Sequence, residues 1–209
     1  MLGLSTVEEI ATCGSATCAR LGNGTVRCWG DNSYGQLGDG TTTSRPTPTS
    51  VTGLSDVVEI AAGVRHFCAR LLGGTLNGYG QLGDGTMTTR LTPTAVAGIS
   101  GAAEITAADN HSCARLTDGT TRCWGNNLVG QLGDGTLSVR PTPSGVLGLS
   151  AVVEIVAAGY GRAPGDSIPY RTCSRQRNGD VRCWGGNGYG QLGDGTSVNR
   201  SVPVLVSDL

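Results

Sequence analysis

The sequence predicts an all-β protein built from propeller-type blades, and three observations lead to that prediction. A block close to Tyr-Gly-Gln-Leu-Gly-Asp-Gly-Thr occurs four times, at residues 34–41, 79–86, 129–136 and 189–196. A recurrence at roughly fifty-residue spacing is typical of propeller blades, whose sheets must stack on one another to form a core. Glycine accounts for 35 of the 209 residues, and no segment shows the apolar periodicity of a capped helix.

The similarity extends around this block to nearly every residue of each unit. A unit opens with a short apolar run that ends in Glu-Ile, followed by a Cys-Ala-Arg-Leu segment and a turn that contains glycine. An Arg-Cys-Trp-Gly segment, the repeated block and an Arg-Pro-rich link complete it. We therefore expect one repeat domain over residues 1–209, with units at approximately 4–53, 54–98, 99–148 and 149–209. These four units leave no room for a second domain.

The residue types within a unit predict its strands in order. Residues 57–62 are short, largely β-branched and bounded by glycine, which indicates a buried strand. Residues 17–21 and 25–29 flank a Gly-Asn-Gly turn, whose residues tolerate the positive φ angles of a tight hairpin. The two prolines of residues 45–48 remove two backbone donors, so this link forms an edge strand or a connection.

The second unit is shorter than the others. Between Leu76 and Asn77 it lacks the five residues that would match residues 27–31. This deletion predicts that the second unit loses most of one strand.

The fourth unit carries about ten extra residues between Ala158 and Cys173, rich in Gly, Pro, Tyr and Arg. Insertions in repeat proteins usually become loops on one face, often the binding face. Tyr and Arg are over-represented among residues that dominate binding energy. The sequence therefore predicts a recognition surface formed by Tyr160, Arg162, Tyr170 and Arg171. The alternative is a loop without a function.

Charge and hydropathy restrict the partners. The chain has 15 basic residues, all of them Arg, and 16 acidic residues. This balance argues against a general affinity for nucleic acid, which requires a clustered basic face. No apolar run is long enough to span a membrane, and no charged and apolar leader precedes the first unit. We expect a protein or surface ligand as partner, and neither a nucleic acid nor a cofactor.

Six of the eight cysteines stand in pairs ten residues apart across a predicted hairpin. With a three-residue turn the two cysteines of a pair lie opposite each other, within disulfide range. The alternative is small buried thiols. The pairs are Cys18 and Cys28, Cys113 and Cys123, and Cys173 and Cys183. Disulfides would place the protein in an oxidising compartment, extracellular or periplasmic.

The other two cysteines, Cys13 and Cys68, have no such partner. They either meet across adjacent blades or remain free thiols. A zinc site is not expected, because the chain has no Cys-x-x-Cys pair and only two histidines.

Conventional catalytic residues are few, and most recur by position, which indicates structural roles. His66 and His111 both stand two residues before a cysteine. The recurring acidic residues are Asp39, Asp84, Asp134 and Asp194, expected to brace turns rather than bind calcium, and Glu59, Glu104 and Glu154, expected to belong to the framework. The Gly-Asp-Ser-Ile segment at residues 165–168 resembles the start of Gly-Asp-Ser-Leu esterases, which makes Ser167 the alternative nucleophile.

The units resemble the regulator of chromosome condensation family over essentially the whole chain. The resemblance rests on the Gly-Gln-Leu-Gly blocks, on the Cys-Trp-Gly segments that begin at Cys28, Cys123 and Cys183, and on residues 61–68. It implies a propeller, usually of about seven blades, and is nearest to the cysteine-rich form found in bacteria. Members include an exchange factor for a GTPase, whose exchange loops have no recognisable match here, and a light sensor, whose key Trp is replaced by Val64.

We therefore predict a non-enzymatic scaffold that binds through its blade loops. A hydrolase that uses the insertion and an exchange-factor-like regulator are the alternatives. Four blades are fewer than the family's usual number, and an open arc would expose apolar sheet faces. We expect either self-association, for example two chains in an eight-blade ring, or a compact ring of four blades.

Overall fold

Antiparallel four-stranded sheets, one per unit, make up the protein in a computed structural model that describes residues 6–80, 83–159 and 170–207. The first sheet contains β1 (Val7–Cys13), β2 (Ala16–Leu21), β3 (Val26–Gly30) and β4 (Arg45–Ser50). The second contains β5 (Val57–Ala62), β6 (Phe67–Leu71), β7 (Leu76–Gly80) and β8 (Arg90–Ala95). The third contains β9 (Ala102–Ala107), β10 (His111–Leu116), β11 (Thr121–Gly125) and β12 (Arg140–Gly145). The fourth contains β13 (Val152–Ala158), β14 (Arg171–Gln176), β15 (Val181–Gly185) and β16 (Arg200–Leu205).

Strands follow one another in chain order across every sheet, as hairpin connections require. In the first sheet the amide of Leu21 donates to the carbonyl of Thr25 at 2.9 Å, and Gly24 adopts a φ of 75°. This three-residue turn sets Cys18 opposite Cys28 in the ladder. The all-β class and the predicted hairpin register are therefore confirmed.

The glycine that ends the third strand explains why the Trp-Gly pair recurs. Gly30 has a φ of 107°, and a Cβ atom there would lie 2.3 Å from the carbonyl oxygen of Ser15. Gly125 and Gly185 repeat this conformation, with φ angles of 103° and 108°. Only glycine allows so close an approach of two backbone segments. The glycine thereby fixes where the loop after the third strand begins.

The second sheet is complete, so the predicted loss of a strand is wrong. Residues 76–80 form β7, and Gly80 pairs with Arg90 as Gly30 pairs with Arg45. The deletion falls instead between β7 and β8, which residues 81–89 separate in the sequence, whereas residues 31–44 separate β3 and β4 in the first sheet. Backbone pairing thus recruits Tyr79 and Gly80, part of the repeated block in sequence, into the strand.

The sheets stack face to face in chain order, and the cores lie between them. One cluster of buried residues joins the first and second sheets, another the second and third, and another the third and fourth. The first strands of successive sheets contact one another, β1 with β5, β5 with β9 and β9 with β13. Among the described residues no comparable contact leads from the fourth sheet back to the first. The protein is an open arc of four propeller blades, rather than a compact four-blade ring.

All three predicted cysteine pairs form disulfides within their sheets: Cys18–Cys28, Cys113–Cys123 and Cys173–Cys183. Cys13 and Cys68 are free and buried. The thiol of Cys13 donates to the carbonyl of Val64 at 3.0 Å, and the sulfur of Cys68 lies 3.6 Å from the hydroxyl of Ser112. Burial raises the pKa of Cys13 to about 12 and that of Cys68 to about 11. Both thiols therefore stay protonated at neutral pH.

Candidate functional site

The loops after the first and third strands of every sheet meet at one end of the arc, which we call the insertion end. The amides of Asp31, Asn126 and Gly186 begin the longer loop and donate to carbonyls of the shorter one at 2.9, 2.8 and 2.7 Å. The fourth unit's insertion lies in the shorter loop of its sheet, between Gly159 and Tyr170. The hairpin turns and the links between sheets lie at the opposite end, where the amide of Val57 donates to the carbonyl of Gly24.

A buried asparagine organises the long loop of the first, third and fourth sheets. The side-chain amide nitrogen of Asn32 donates to Asp39 Oδ1 at 3.1 Å and to the carbonyls of Thr41 and Thr43. Its oxygen accepts the amide of Leu37 at 2.9 Å. Asn127 and Asn187 repeat the arrangement, and all three asparagines are fully buried.

The recurring aspartates brace the same loops. Asp39 Oδ2 accepts Arg45 Nε at 2.7 Å, and its Oδ1 accepts the amide and hydroxyl of Thr41. Burial raises the pKa of Asp39, but these hydrogen bonds outweigh it and hold the pKa below its usual value. The same balance lowers the pKa of Asp194 to about 2. Protein donors occupy both carboxylate oxygens of these residues, as expected for turn braces.

The recurring glutamates pair with arginines across the first two strands of each sheet. Arg70 Nε lies 2.6 Å from Glu59 Oε2, and the equivalent distances are 2.8 Å for Arg115 with Glu104 and 2.9 Å for Arg175 with Glu154. These glutamates therefore belong to the framework. In the part of the chain that the structure describes, no cluster of His, Cys, Asp or Glu is arranged to hold a metal ion.

Asp109, from the neighbouring sheet, fastens both ends of the insertion. Its amide donates to the carbonyl of Gly159 at 3.2 Å, and its Oδ2 accepts the hydroxyl of Tyr170 at 2.8 Å. Tyr170 is buried, and Arg171 is half-buried at the start of β14. Of the other sequence-predicted residues, Tyr160, Arg162 and Ser167 lie outside the described residues. The structure thus gives Tyr170 a contact that positions the base of the insertion.

Exposed aromatic and apolar side chains accompany the insertion on this end. Tyr34 and Tyr189 occupy the same position of their units and are 47% and 72% exposed. The guanidinium of the exposed Arg65 stacks over the ring of Tyr34, 4.6 Å from its centroid. Leu128 is also exposed. Sequence reasoning missed these residues because Tyr34 and Tyr189 belong to the repeated block, although their large aromatic side chains were a usable signal.

A cavity of about 190 Å³ opens between the loops of the second and third sheets. Its lining includes Trp124, Asn110, Asn126 and Met87. The indole nitrogen of Trp124 is buried there without a hydrogen-bond partner. The cavity lies beside the shortened loop of the second sheet, so the five-residue deletion was the signal in the sequence that marks this place.

Both histidines are buried bridges between sheets. His66 Nε2 lies 2.7 Å from the hydroxyl of Ser112 in the third sheet, and His111 Nε2 lies 2.9 Å from the hydroxyl of Thr172 in the fourth. Burial lowers the pKa of His66 to about 4, and burial together with the charge of His66 lowers that of His111 to about 3. These neutral, enclosed imidazoles hold sheets together and are closed to any substrate.

The repeated units match the family model described as the regulator of chromosome condensation (RCC1) repeat at residues 23–70, 73–115 and 178–209. A second model of the same repeat matches residues 8–36 and 103–131. The chain belongs to the regulator of chromosome condensation repeat family, as its sequence motifs predicted. A search of curated protein sequences gave no match.

Solved structures confirm the propeller fold. Human WBSCR16 superposes with a TM-score of 0.81 at 22% identity, over 99% of this chain and 55% of that one. Yeast RCC1 (Prp20), solved bound to Kap60, gives 0.82 at 18% identity, over 100% of this chain and 50% of its own. A structure of Prp20p from Saccharomyces cerevisiae gives 0.79 at 19%, over 99% and 52%. The chain therefore spans about half the length of these proteins. The part described holds no helix long and apolar enough to cross a membrane.

Proposed function

We propose that this chain is a non-enzymatic scaffold that binds a protein partner through its insertion end. The observation that carries the proposal is that the stacked Arg65–Tyr34 pair, the exposed Tyr189 and the Trp124 cavity all lie on the end that carries the insertion. Exposed Tyr and Arg side chains are the types that dominate binding energy in protein interfaces. Yeast RCC1 was solved with Kap60, and Prp20p is described with binding to Gsp1p and histones. The proteins named with these two structures support protein binding as a function of this fold.

The division between framework and surface supports the same proposal. Residues that recur in the units, such as Asn127 and Asp134, are occupied by contacts inside their own loop. The side chains available to a partner on this end are those left exposed, which include Tyr34 and Tyr189 of the repeated block together with Arg65. Asp109 holds both ends of the insertion in place, which lowers the entropic cost of ordering it on a partner.

The cavity beside Trp124 indicates what the partner presents there. The buried indole N–H of Trp124 lacks an acceptor, and the half-buried side chains of Asn110 and Asn126 also line the cavity. The indole N–H itself is enclosed, because Trp124 is 1% exposed, so a partner side chain that carries a carbonyl or carboxylate oxygen would instead accept from the side-chain amides of Asn110 and Asn126.

The hydrolase alternative finds no support in the Ser–His contact that the structure describes. Ser112 and His66 are each 1% exposed, so the hydroxyl cannot reach a substrate. The disulfides support the extracellular or periplasmic location that the cysteine spacing predicts. Bacterial origin stays a prediction from the sequence.

Two variants and a matched control test the proposal by capture of partners from host extracts and measurement of the dissociation constant of the recovered partner. Tyr34→Ala combined with Arg65→Ala removes the stacked pair, and deletion of residues 161–168 shortens the insertion while keeping Gly159 and Tyr170. Each should raise the dissociation constant by about tenfold or more. Leu72→Ala, at a residue 76% exposed in the hairpin turn of the opposite end, should leave binding unchanged.

If both variants bind the partner as tightly as the unmodified chain while Leu72→Ala binds it more weakly, the binding surface lies at the opposite end and the proposal is refuted. Thermal melting of each variant checks that the fold is kept. Covalent labelling by a serine-directed hydrolase probe would refute the non-enzymatic assignment.

A further inference from the structure

The outer face of the first sheet exposes residues that are buried in the other three sheets. Ile10 is 63% exposed, whereas the isoleucines at the same position of the later units are 2% to 6% exposed. Val7 is 38% exposed, and its equivalents are 2% to 3% exposed. The buried equivalents are Val57 and Ile60 in the second unit, Ala102 and Ile105 in the third, and Val152 and Ile155 in the fourth. These residues are buried because the preceding sheet covers them.

The outer face of the fourth sheet is uncovered in the complementary way. Cys18 and Cys113 are fully buried beneath the following sheet, but the equivalent Cys173 is only half-buried. Val156 on the same sheet is 51% exposed. The shallow hollow on this face is lined by Glu154, Val156 and Cys173, among others. Inside the chain, the isoleucine of the following sheet and its valine or alanine lie against a face of this kind.

A polar contact accompanies two of the internal interfaces. The amide of Ile60 donates to Glu9 Oε2 of the preceding sheet at 3.1 Å, and the amide of Ile105 donates to Glu59 Oε1 at 3.3 Å. The third interface uses a related contact, from the amide of Ala157 to the hydroxyl of Thr106 at 3.0 Å. Glu154 is the equivalent acceptor on the open face of the fourth sheet, with a side chain 48% exposed. The amide of Ile10 is the equivalent donor on the open face of the first.

We propose that the outer face of the first sheet binds the outer face of the fourth sheet of a second copy of this chain. The occupant follows from continuity, because the same two kinds of face already pair three times within each molecule. Ile10 and Val7 would lie against Val156 and Cys173, and Glu154 would accept the amide of Ile10. The contact is head to tail, so the copies form a closed ring if the rotation closes and a longer assembly if it does not.

Light scattering on the 209-residue chain over a range of concentrations tests the proposal. We expect a mass above the monomer that rises with concentration. Ile10→Asp and Val156→Asp each place a charge on one of the two faces and should weaken association by about tenfold or more. Leu137→Asp, at a residue 58% exposed in a loop away from both faces, is the matched control and should associate like the unmodified chain.

A mixture of the two variants tests the head-to-tail geometry. Ile10→Asp keeps an intact fourth-sheet face and Val156→Asp keeps an intact first-sheet face, so an equimolar mixture should form a dimer joined by one interface. A mixture that stays monomeric although both variants melt like the unmodified chain would overturn the geometry. An unmodified chain that is strictly monomeric at every concentration would overturn the proposal and leave both faces to a partner of different sequence.

Discussion

The buried histidines make the stability of the arc sensitive to mild acid. In the folded protein the pKa of His66 is about 4 and that of His111 about 3, against an ordinary value of 6.5. Because the folded pKa values lie below the unfolded ones, protons bind the unfolded chain more readily. The stability is therefore fully present above about pH 6.5 and falls as the pH is lowered toward the folded pKa values.

The size of this effect follows from the two shifts. Between the unfolded and folded pKa values of each histidine, the free energy of unfolding decreases by about 1.4 kcal/mol for every unit by which the pH is lowered. For His66 this amounts to about 3 kcal/mol by pH 4, and His111 contributes a similar amount over the same range. Together they approach the whole stability of an ordinary domain, which is about 5–15 kcal/mol. The aspartate braces, with lowered pKa values, lose their contribution only below about pH 4.

Urea unfolding at pH 7, 6, 5 and 4 measures the slope directly. The unmodified protein should lose about 2–3 kcal/mol per pH unit between pH 6 and 4. His66→Gln and His111→Gln should each reduce that slope by about half, whatever their stability at pH 7. A slope that is flat between pH 6 and 4, or one that neither variant changes, would refute the assignment of these histidines as neutral bridges between sheets.

Two further changes test the loop and turn geometry by urea unfolding at pH 7. Asn127→Asp replaces a side-chain nitrogen that donates to Asp134 with an acceptor, and it should lower the free energy of unfolding by about 3 kcal/mol or more. Asn126→Asp is the control and should lower it by less than about 0.5 kcal/mol, because the Asn126 hydrogen bonds that the structure describes are accepted by its side-chain oxygen, which aspartate keeps. Equal losses would refute the proposed role of the buried asparagine. Ala151→Gly should be neutral or stabilise the protein by up to about 1 kcal/mol, because Ala151 has a φ of 51°. Ala97→Gly, at an exposed residue outside the positive-φ region, is the control and should destabilise the protein by about 0.5–1 kcal/mol. A larger loss of stability at Ala151 than at Ala97 would contradict this reasoning.

Much of the blade architecture could be predicted from local sequence. The Gly-Asn-Gly turn determines a register, and that register alone sets Cys18 opposite Cys28. The repeated aspartate and the arginine six residues later, such as Asp39 and Arg45, bond to each other within a single loop. Contacts over so short a span are visible in the spacing of residues.

Contacts between sheets could not be predicted in the same way. The sequence predicts Tyr170 as a binding residue in an insertion, but its hydroxyl donates a hydrogen bond to Asp109, 61 residues earlier in the chain. The shortened second unit also misleads, because Tyr79 and Gly80 match the loop block by identity while the backbone ladder places them in a strand. Residue identity alone cannot distinguish a loop from a strand here, since pairing with neighbouring strands determines which residues extend β7.

The disulfides determine how the chain would respond to mechanical force. Each one joins the two middle strands of a single sheet, and none of the three crosses from one sheet to the next. Under tension applied at the two ends, blades can therefore separate while each oxidised hairpin stays closed. A bridge with a separation of ten residues withholds about 30 Å of extended chain from each of three blades. In the second blade Cys68 lies opposite Gly78, so that blade alone can extend over its full length.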